Sequence, residues 1–178
     1  MYGEWGVSTE WTVSAKYERV DFETSNVFDS DGWRLTGRRQ LWSGQTWVSS
    51  VEFGVLEGAA LGGFRGCEDS GLEVGAGAGW SDTTRLGDVY IGGMVSHRAH
   101  ESGCYHDRFE GVIGYTPPEG LTWTVQLWSE RGEDDRSDKI EIMMSKRFDR
   151  FEPGIGYRKE VSGEFEESAL VVSIAFRP

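Results

Sequence analysis

Long apolar stretches are missing from this 178-residue chain, and proline and cysteine are scarce, with four and two residues. No apolar run reaches the roughly 18 residues that a membrane-spanning helix needs. The N-terminal stretch MYGEWGVSTEW lacks the basic and apolar regions of a signal peptide. A transmembrane helix is therefore not predicted, and the protein is expected to be either cytosolic or an exported protein whose signal peptide has already been removed.

Positive charge is also in short supply. Lysine and arginine total 18 against 30 aspartate and glutamate residues, so the formal net charge is -12. Phosphate groups are bound by clustered basic side chains, and a nucleic-acid partner is therefore not expected. No glycine-rich phosphate loop and no zinc signature occurs, so the sequence predicts no cofactor.

Helical periodicity is absent, and alternation at period two takes its place. The stretch LTWTVQLWSERGEDDRSDKIEIMM, residues 121–144, alternates apolar and polar side chains on both sides of a charged centre. Such alternation predicts strands with one apolar and one polar face. The 25 glycines show no Gly-X-Y period and fall within the alternating segments, so they belong to folded structure.

The alternation predicts ten strands in one all-β domain that spans residues 1–178. The predicted strands cover 5–17, 33–41, 47–55, 72–80, 89–95, 105–115, 121–127, 140–148, 151–157 and 170–176. Short connections alternate with longer, more acidic ones. In an up-and-down meander every second connection lies on the same rim, so one rim is expected to carry short turns and both termini.

The two faces of the predicted strands differ in composition. Aromatic residues crowd the apolar face near the short turns, at Trp47, Trp80, Tyr115, Phe148, Phe151 and Phe176. Charged residues recur on the opposite face, at Lys16, Arg34, Arg38, Glu52, Asp88, Arg108, Glu110, Glu141, Arg147 and Arg158. Glycines are interleaved with these charges, as they would be on a crowded concave wall.

This pattern resembles the bacterial outer-membrane β-barrels, which combine segments of about ten alternating residues with short periplasmic turns and longer external loops. The resemblance is one of architecture and covers the whole chain. It implies a ten-stranded antiparallel up-and-down transmembrane β-barrel in the outer membrane of a Gram-negative envelope. The apolar face would contact lipid, the six aromatic residues would form an interfacial girdle, and the ten charged residues would line the lumen.

The same resemblance suggests partners and a role. The final strand, LVVSIAF, is similar to the terminal strand that the barrel-assembly machinery recognises, although Arg177-Pro178 follows it. A barrel of eight to ten strands has little free interior. The expected function is a narrow, porin-like passive channel for ions or small solutes, with a weak cation preference because acidic residues are in excess.

Two alternatives to a channel remain open. A non-conducting structural or partner-binding outer-membrane barrel is expected if the inward charges pair across the axis. A soluble calycin-like barrel, which binds a ligand, would place the apolar face inward, and Gly3-Glu4-Trp5 matches the G-x-W of lipocalins.

The segment SHRAHESGCYHD, residues 96–107, holds His97, His100 and His106 together with Cys104. These side chains are of the types that bind transition metals, but His-x-x-His spacing in an extended loop does not fix two imidazoles on one side. A solvated polar loop without a metal is expected. If the chain is exported, the resemblance places Cys104 on the same rim as Cys67, where an oxidising environment favours a disulfide.

Comparison with barrel enzymes gives no catalytic set. Lipid A deacylases carry His-x-Ser on one strand face, whereas Ser96 and His97 are adjacent and point to opposite faces. Omptin proteases use an Asp pair and an Asp-His pair, and Asp29, Asp31 and His106 are the nearest equivalents, but no Asp-x-His occurs. An enzyme is not predicted.

Overall fold

A computed structural model describes residues 1–20, 30–58, 67–132, 136–149, 151–163 and 167–176. The strands are β1 (Tyr2–Gly6), β2 (Trp11–Val20), β3 (Ser30–Ser43), β4 (Trp47–Glu57), β5 (Gly71–Thr84), β6 (Gly87–His100), β7 (Tyr105–Thr116), β8 (Leu121–Arg131), β9 (Arg136–Lys146), β10 (Phe151–Ser162) and β11 (Ser168–Phe176). Each strand pairs antiparallel with the next, in chain order, and the sheet curls into a half-barrel. Within those residues no helix is long and apolar enough to cross a membrane.

The described sheet has eleven strands and not ten, because the predicted strand 5–17 is a hairpin. The Ser8 hydroxyl accepts hydrogen bonds from the backbone N–H groups of Glu10 (3.2 Å) and Trp11 (3.1 Å), which closes a turn between β1 and β2. Trp5 then pairs with Val13. Both limbs keep the same odd-numbered residues on the apolar face, so the alternation passes through the turn without a break.

The additional strand moves the N-terminus to the opposite rim. The carbonyl oxygen of Met1 accepts a hydrogen bond from the backbone N–H of Tyr17 (2.8 Å), at the end of β2 where the long loops lie. Phe176 pairs with Phe151 at the short-turn rim. The prediction that both termini share the short-turn rim is therefore wrong. An odd number of antiparallel strands also makes the two edge strands, β1 and β11, parallel to each other.

Several strands extend further toward the long-loop rim than the sequence indicates. β6 continues to His100 and β8 to Arg131, so residues 98–100, which were predicted to lie in a loop, belong to β6. The connection from β6 to β7 is only residues 101–104. These extensions place additional polar side chains on the faces of the sheet.

The sheet buries its polar face and exposes its apolar face, which is the reverse of the usual arrangement in a water-soluble sheet. Large apolar side chains on the convex face are exposed, with Leu72 67% and Val172 71% accessible. On the concave face Glu52, Glu73 and Glu141 are each only 2% accessible. The alternation of the strands causes this separation, since successive side chains point to opposite faces. Charged side chains therefore fill the inside of the curl, as expected from the sequence.

Glycine permits the close contacts within the concave face. A methyl group added at Gly114 would lie 2.0 Å from the Tyr90 ring, whose hydroxyl hydrogen-bonds Thr124 across β7 (2.8 Å). A methyl group at Gly156 would lie 2.8 Å from the carbonyl oxygen of Ile142. Larger residues at these two positions would displace the neighbouring strand or the aromatic ring.

Candidate functional site: the buried ion network of the concave face

Strand register brings charged residues into rows around the concave face. Residues that are directly paired across neighbouring strands lie about 4.8 Å apart. One row consists of Arg38, Glu52, Gly75, Ser96, Arg108, Glu130 and Ser137. The adjacent row consists of Thr36, Gly54, Glu73, Arg98 and His106. Long side chains from both rows therefore reach one another.

Glu73 lies at the centre of these rows among three guanidinium groups. Its Oε2 accepts a hydrogen bond from Arg98 Nε at 2.6 Å, and its Oε1 accepts one from Arg34 Nη1 at 3.2 Å. Arg108 Nη1 is 4.0 Å from Glu73 Oε1. These contacts join β3, β5, β6 and β7, so the carboxylate connects strands that are not neighbours in the sheet.

Two further carboxylates balance the remaining positive charge. Glu130 Oε1 is 3.3 Å from both Arg98 Nη1 and Arg108 Nε, and Glu110 contacts Arg108 Nη2. The Glu73 network consists of Arg34, Glu73, Arg98, Arg108, Glu110 and Glu130. It contains three cations and three anions, which offsets much of the cost of removing these charges from water.

Four buried polar atoms of the concave face have no hydrogen-bond partner among the described residues. They are Glu52 Oε1, Ser96 Oγ, Arg34 Nε and Arg108 Nε. Arg108 Nε is close to Glu130, but the contact lacks hydrogen-bond geometry and is purely ionic. The other oxygen of Glu52 accepts two hydrogen bonds from Arg38, each 3.1 Å long. Buried polar atoms are usually satisfied by water or a ligand when protein groups are out of reach.

Polar contacts outside the Glu73 network continue along the concave face as far as β10. Arg158 Nη2 is 2.9 Å from Glu141 Oε2, and the Arg158 guanidinium lies 4.8 Å from the centroid of the Trp128 ring. The Ser137 hydroxyl donates to Glu160 Oε1 at 2.7 Å. Pairs of opposite charge therefore occupy the concave face from β3 to β10.

Most of the ten predicted lumen residues lie on this face. Arg34, Arg38, Glu52, Arg108, Glu110, Glu141 and Arg158 take part in the ion pairs above, and Lys16 is 2.6 Å from Glu18 on β2. Asp88 and Arg147 differ, because both are exposed at the short-turn rim, where Arg147 is 3.5 Å from Glu152. Whether any of them lines a water-filled lumen stays a prediction.

Sequence analysis missed three central members of the network: Glu73, Arg98 and Glu130. Glu73 lies between Leu72 and Val74 and shares the parity of the charged face, a signal that was present in the sequence. Arg98 and Glu130 fell beyond the predicted ends of their strands. Strand ends are poorly marked by alternation, so residues there are easily assigned to loops.

The six aromatic residues predicted as a girdle lie together at the short-turn rim. Trp47 pairs directly with Trp80, and Phe151 pairs with Phe176. The Phe148 and Phe151 rings stack with centroids 5.1 Å apart. The Tyr115 hydroxyl donates to the carbonyl oxygen of Leu86 at 2.7 Å. The rings form a band on the convex side, and their role at a membrane interface stays a prediction.

Cys67 and Cys104 form the predicted disulfide, with Cα atoms 5.7 Å apart. The bridge joins the segments that precede β5 and β7. Next to it, Asp69 accepts hydrogen bonds from the hydroxyl and backbone N–H of Ser102. Desolvation alone would raise the pKa of the Asp69 carboxyl, but the hydrogen bonds from Ser102 outweigh this effect and hold the pKa below its usual value. The disulfide and the hydrogen bonds between Asp69 and Ser102 thus hold this part of the rim together.

The three histidines were expected to lie in a solvated loop, but the structure places them in strands. His100 and His106 are 8% and 4% accessible on the concave face. His97 points to the convex side, where its Nδ1 is 2.8 Å from Asp107 Oδ1. The extension of β6 and the start of β7 cause this division, because the three residues fall in strands with alternating faces.

The omptin-like candidates are not assembled into a catalytic group by the described residues. Asp29 lies outside those residues, as do Arg177 and Pro178 of the predicted terminal signal. Asp31 is exposed on β3 and receives a hydrogen bond from the Tyr17 hydroxyl (3.2 Å). His106 is instead close to Cys67.

No family model matches the chain, and no curated protein matches it significantly.

Replacing Arg98 tests the importance of the Glu73 network. Arg98→Gln removes the group that contacts both Glu73 and Glu130, and it leaves buried carboxylates with less compensation. We expect the free energy of unfolding to fall by about 3–5 kcal/mol. The exposed Arg39, 3.8 Å from Glu10, provides the control, and Arg39→Gln should have little effect. Urea unfolding followed by tryptophan fluorescence measures both, and equal effects would contradict the assignment.

Proposed function

We propose that this chain is a β-barrel protein of the bacterial outer membrane, with its convex face in lipid and its concave face forming a narrow, cation-preferring path. The observation that carries the location is the inverted burial of the sheet. Leu72 and Val172 are mostly exposed, whereas Glu52 and Glu73 are almost completely buried. Hydrocarbon around the convex face would remove this apolar surface from water, with a gain of roughly 25 cal/mol per Å².

The size of the apolar face favours a lipid environment over water. Contiguous apolar patches on soluble monomers rarely exceed a few hundred Å². Here exposed large apolar side chains recur on β3 to β11, for example Phe53 on β4, Ile113 on β7 and Ile155 on β10. The band of aromatic residues at the short-turn rim fits the headgroup region, where tryptophan and tyrosine rings are enriched.

Embedding in lipid requires that both edges of the sheet be paired, because open edges do not occur in hydrocarbon. β1 and β11 do not pair within the described part of the chain. Since these edges are parallel, closure within one chain would need a single parallel pair, as in barrels with an odd strand number. Pairing with another strand, from a second copy or from elsewhere, would also satisfy these edges.

The proposed path passes beside Glu52 and the glycines of β5. Glu52 Oε1 has no partner among the described residues, and Gly75 and Gly77 leave the adjacent wall without side chains. Arg38 partly neutralises the Glu52 carboxylate, and the other oxygen of this carboxylate would favour cations over anions where water enters the curl. The Glu73 network lies toward the long-loop rim and would form the narrowest part of the path.

A non-conducting structural or partner-binding barrel is the second candidate. The observation that favours it is the pairing of charges, because three arginines and three carboxylates hold one another in the Glu73 network. A soluble ligand-binding barrel receives less support, since its cavity would need the apolar side chains that here point outward.

Spin labels at neighbouring positions of β8 test the location. Labels at Leu127→Cys on the convex face and Gln126→Cys on the concave face are compared in reconstituted vesicles, with a label at Glu119→Cys in the turn before β8 as the aqueous control. We expect molecular oxygen, which concentrates in hydrocarbon, to relax the label at position 127 most strongly. Equal access of a water-soluble nickel chelate to positions 127 and 119 would contradict a lipid-facing convex surface.

Planar-bilayer recordings test the path. The wild-type protein should give small, cation-preferring conductance steps. Glu52→Gln should shift the reversal potential toward zero, because it removes one negative charge and leaves Arg38 without its carboxylate partner. Glu119→Gln removes an exposed charge outside the curl and should leave the reversal potential unchanged. Absence of steps in the wild-type protein would contradict the channel and favour the structural barrel. Heat-dependent gel mobility verifies that each variant is folded.

A further inference from the structure

Two cysteines and one histidine form a compact cluster at the long-loop rim, next to the Glu73 network. The sulfur atoms of Cys67 and Cys104 and a ring nitrogen of His106 all lie within 4.8 Å of one another. Cys67 Sγ is 3.8 Å from His106 Nε2. Cys67 and His106 are each 4% accessible, whereas Cys104 is half-buried and gives water access to one side of the cluster.

Local structure fixes the three side chains. His106 is the second residue of β7, and Cys104 directly precedes this strand, so the two residues have the same parity. The backbone of Gly132 lies against the imidazole, since a methyl group there would be 2.7 Å from His106 Cδ2. The contacts of Asp69 with Ser102 hold the segment that carries Cys67 against the β6–β7 connection.

We propose that this cluster has two mutually exclusive states: a disulfide, and, after reduction of that disulfide, a site for zinc or a similar thiophilic metal ion bound by Cys67, Cys104 and His106. The inference does not depend on the membrane location or on conduction. Two thiolates and one imidazole are a donor set that zinc uses when one coordination position remains open to water.

The observed spacing fits a tetrahedral ion. With zinc–sulfur bonds of about 2.3 Å and zinc–nitrogen bonds of about 2.0–2.1 Å, sulfur and nitrogen ligands lie about 3.6 Å apart. The separation of Cys67 Sγ and His106 Nε2 is 3.8 Å. The two sulfurs must separate to about 3.8 Å on reduction. A rotation of the cysteine side chains to other staggered rotamers is the movement that this requires, with the Cα atoms 5.7 Å apart.

The chemistry of the two states explains why they exclude each other. A metal ion needs thiolates, and the sulfurs of a disulfide are already bonded to each other. A phosphine reductant takes the oxygen of one water molecule and becomes the phosphine oxide, while each sulfur receives one of the two hydrogens. Binding of the metal then displaces the two thiol protons to solvent.

The ligand types select a thiophilic ion over calcium or magnesium. Calcium and magnesium prefer oxygen ligands, whereas thiolate and imidazole suit zinc, cobalt and copper. His100 is not assigned as a ligand, because among the described residues the ligand atoms that lie within 4.8 Å of one another belong to Cys67, Cys104 and His106. His97 is on the convex face and is also excluded.

Cobalt(II) titration of the full chain tests the site. Protein reduced with phosphine, and then freed of phosphine without oxygen, is titrated with Co²⁺, and zinc displaces the cobalt afterwards. We expect one equivalent to produce a thiolate-to-cobalt charge-transfer band. The oxidised protein should give no such band. His106→Gln, which retains both cysteines, should weaken binding by at least about 10-fold. His97→Gln is the matched control and should bind as the wild-type protein does.

Three results would overturn the proposal: no charge-transfer band in the reduced wild-type protein, the same band in the oxidised protein, or unchanged affinity in His106→Gln. Alkylation of the reduced wild-type protein gives a second measurement that needs no variant. Bound zinc should slow modification of both cysteines, and unchanged alkylation rates at saturating zinc would also refute the site.

Discussion

The ion pairs around Glu73 are the interaction on which the rest of this structure depends. A carboxylate and three guanidinium groups with almost no exposure are stable only where each charge has close partners. Because Arg34, Arg98 and Arg108 come from three different strands, their contacts with Glu73 fix the curvature of β3 to β7. The curl in turn presents the alternate residues of every strand outward, and these are mostly large and apolar.

The inversion of polarity connects the fold to the proposed location. A sheet whose inner face is ionic cannot be stabilised by an apolar core, so burial of its convex face must supply much of the favourable free energy. In the proposed location, lipid would provide this burial for the whole convex surface at once. The same arrangement leaves the inside polar, and we propose that the balance between paired charges and the unpaired oxygen of Glu52 decides whether ions pass.

Sequence alternation predicted the all-β class, the up-and-down order and the two faces, because period two directly encodes which side chains share a face. The disulfide was predicted only on the condition of export, from the placement of Cys67 and Cys104 on the same rim. It missed the turn at Ser8, where a tight hairpin preserves the alternation. It also misplaced Arg98, His100 and Glu130, which lie near strand ends. Register is set by backbone pairing between strands, so the convergence of Arg34, Glu73 and Arg108 was beyond a sequence argument. The burial of His106 beside Cys67 follows from the same register.

The central claim is that the convex face contacts hydrocarbon. Quenching of tryptophan fluorescence by lipids with brominated acyl chains tests it most directly in the wild-type protein, because Trp5, Trp33, Trp47 and Trp123 are exposed on that face. Reconstitution into vesicles of brominated lipid should quench most of the emission, relative to vesicles of the same lipid without bromine. Equal emission from the two kinds of vesicle would contradict the claim.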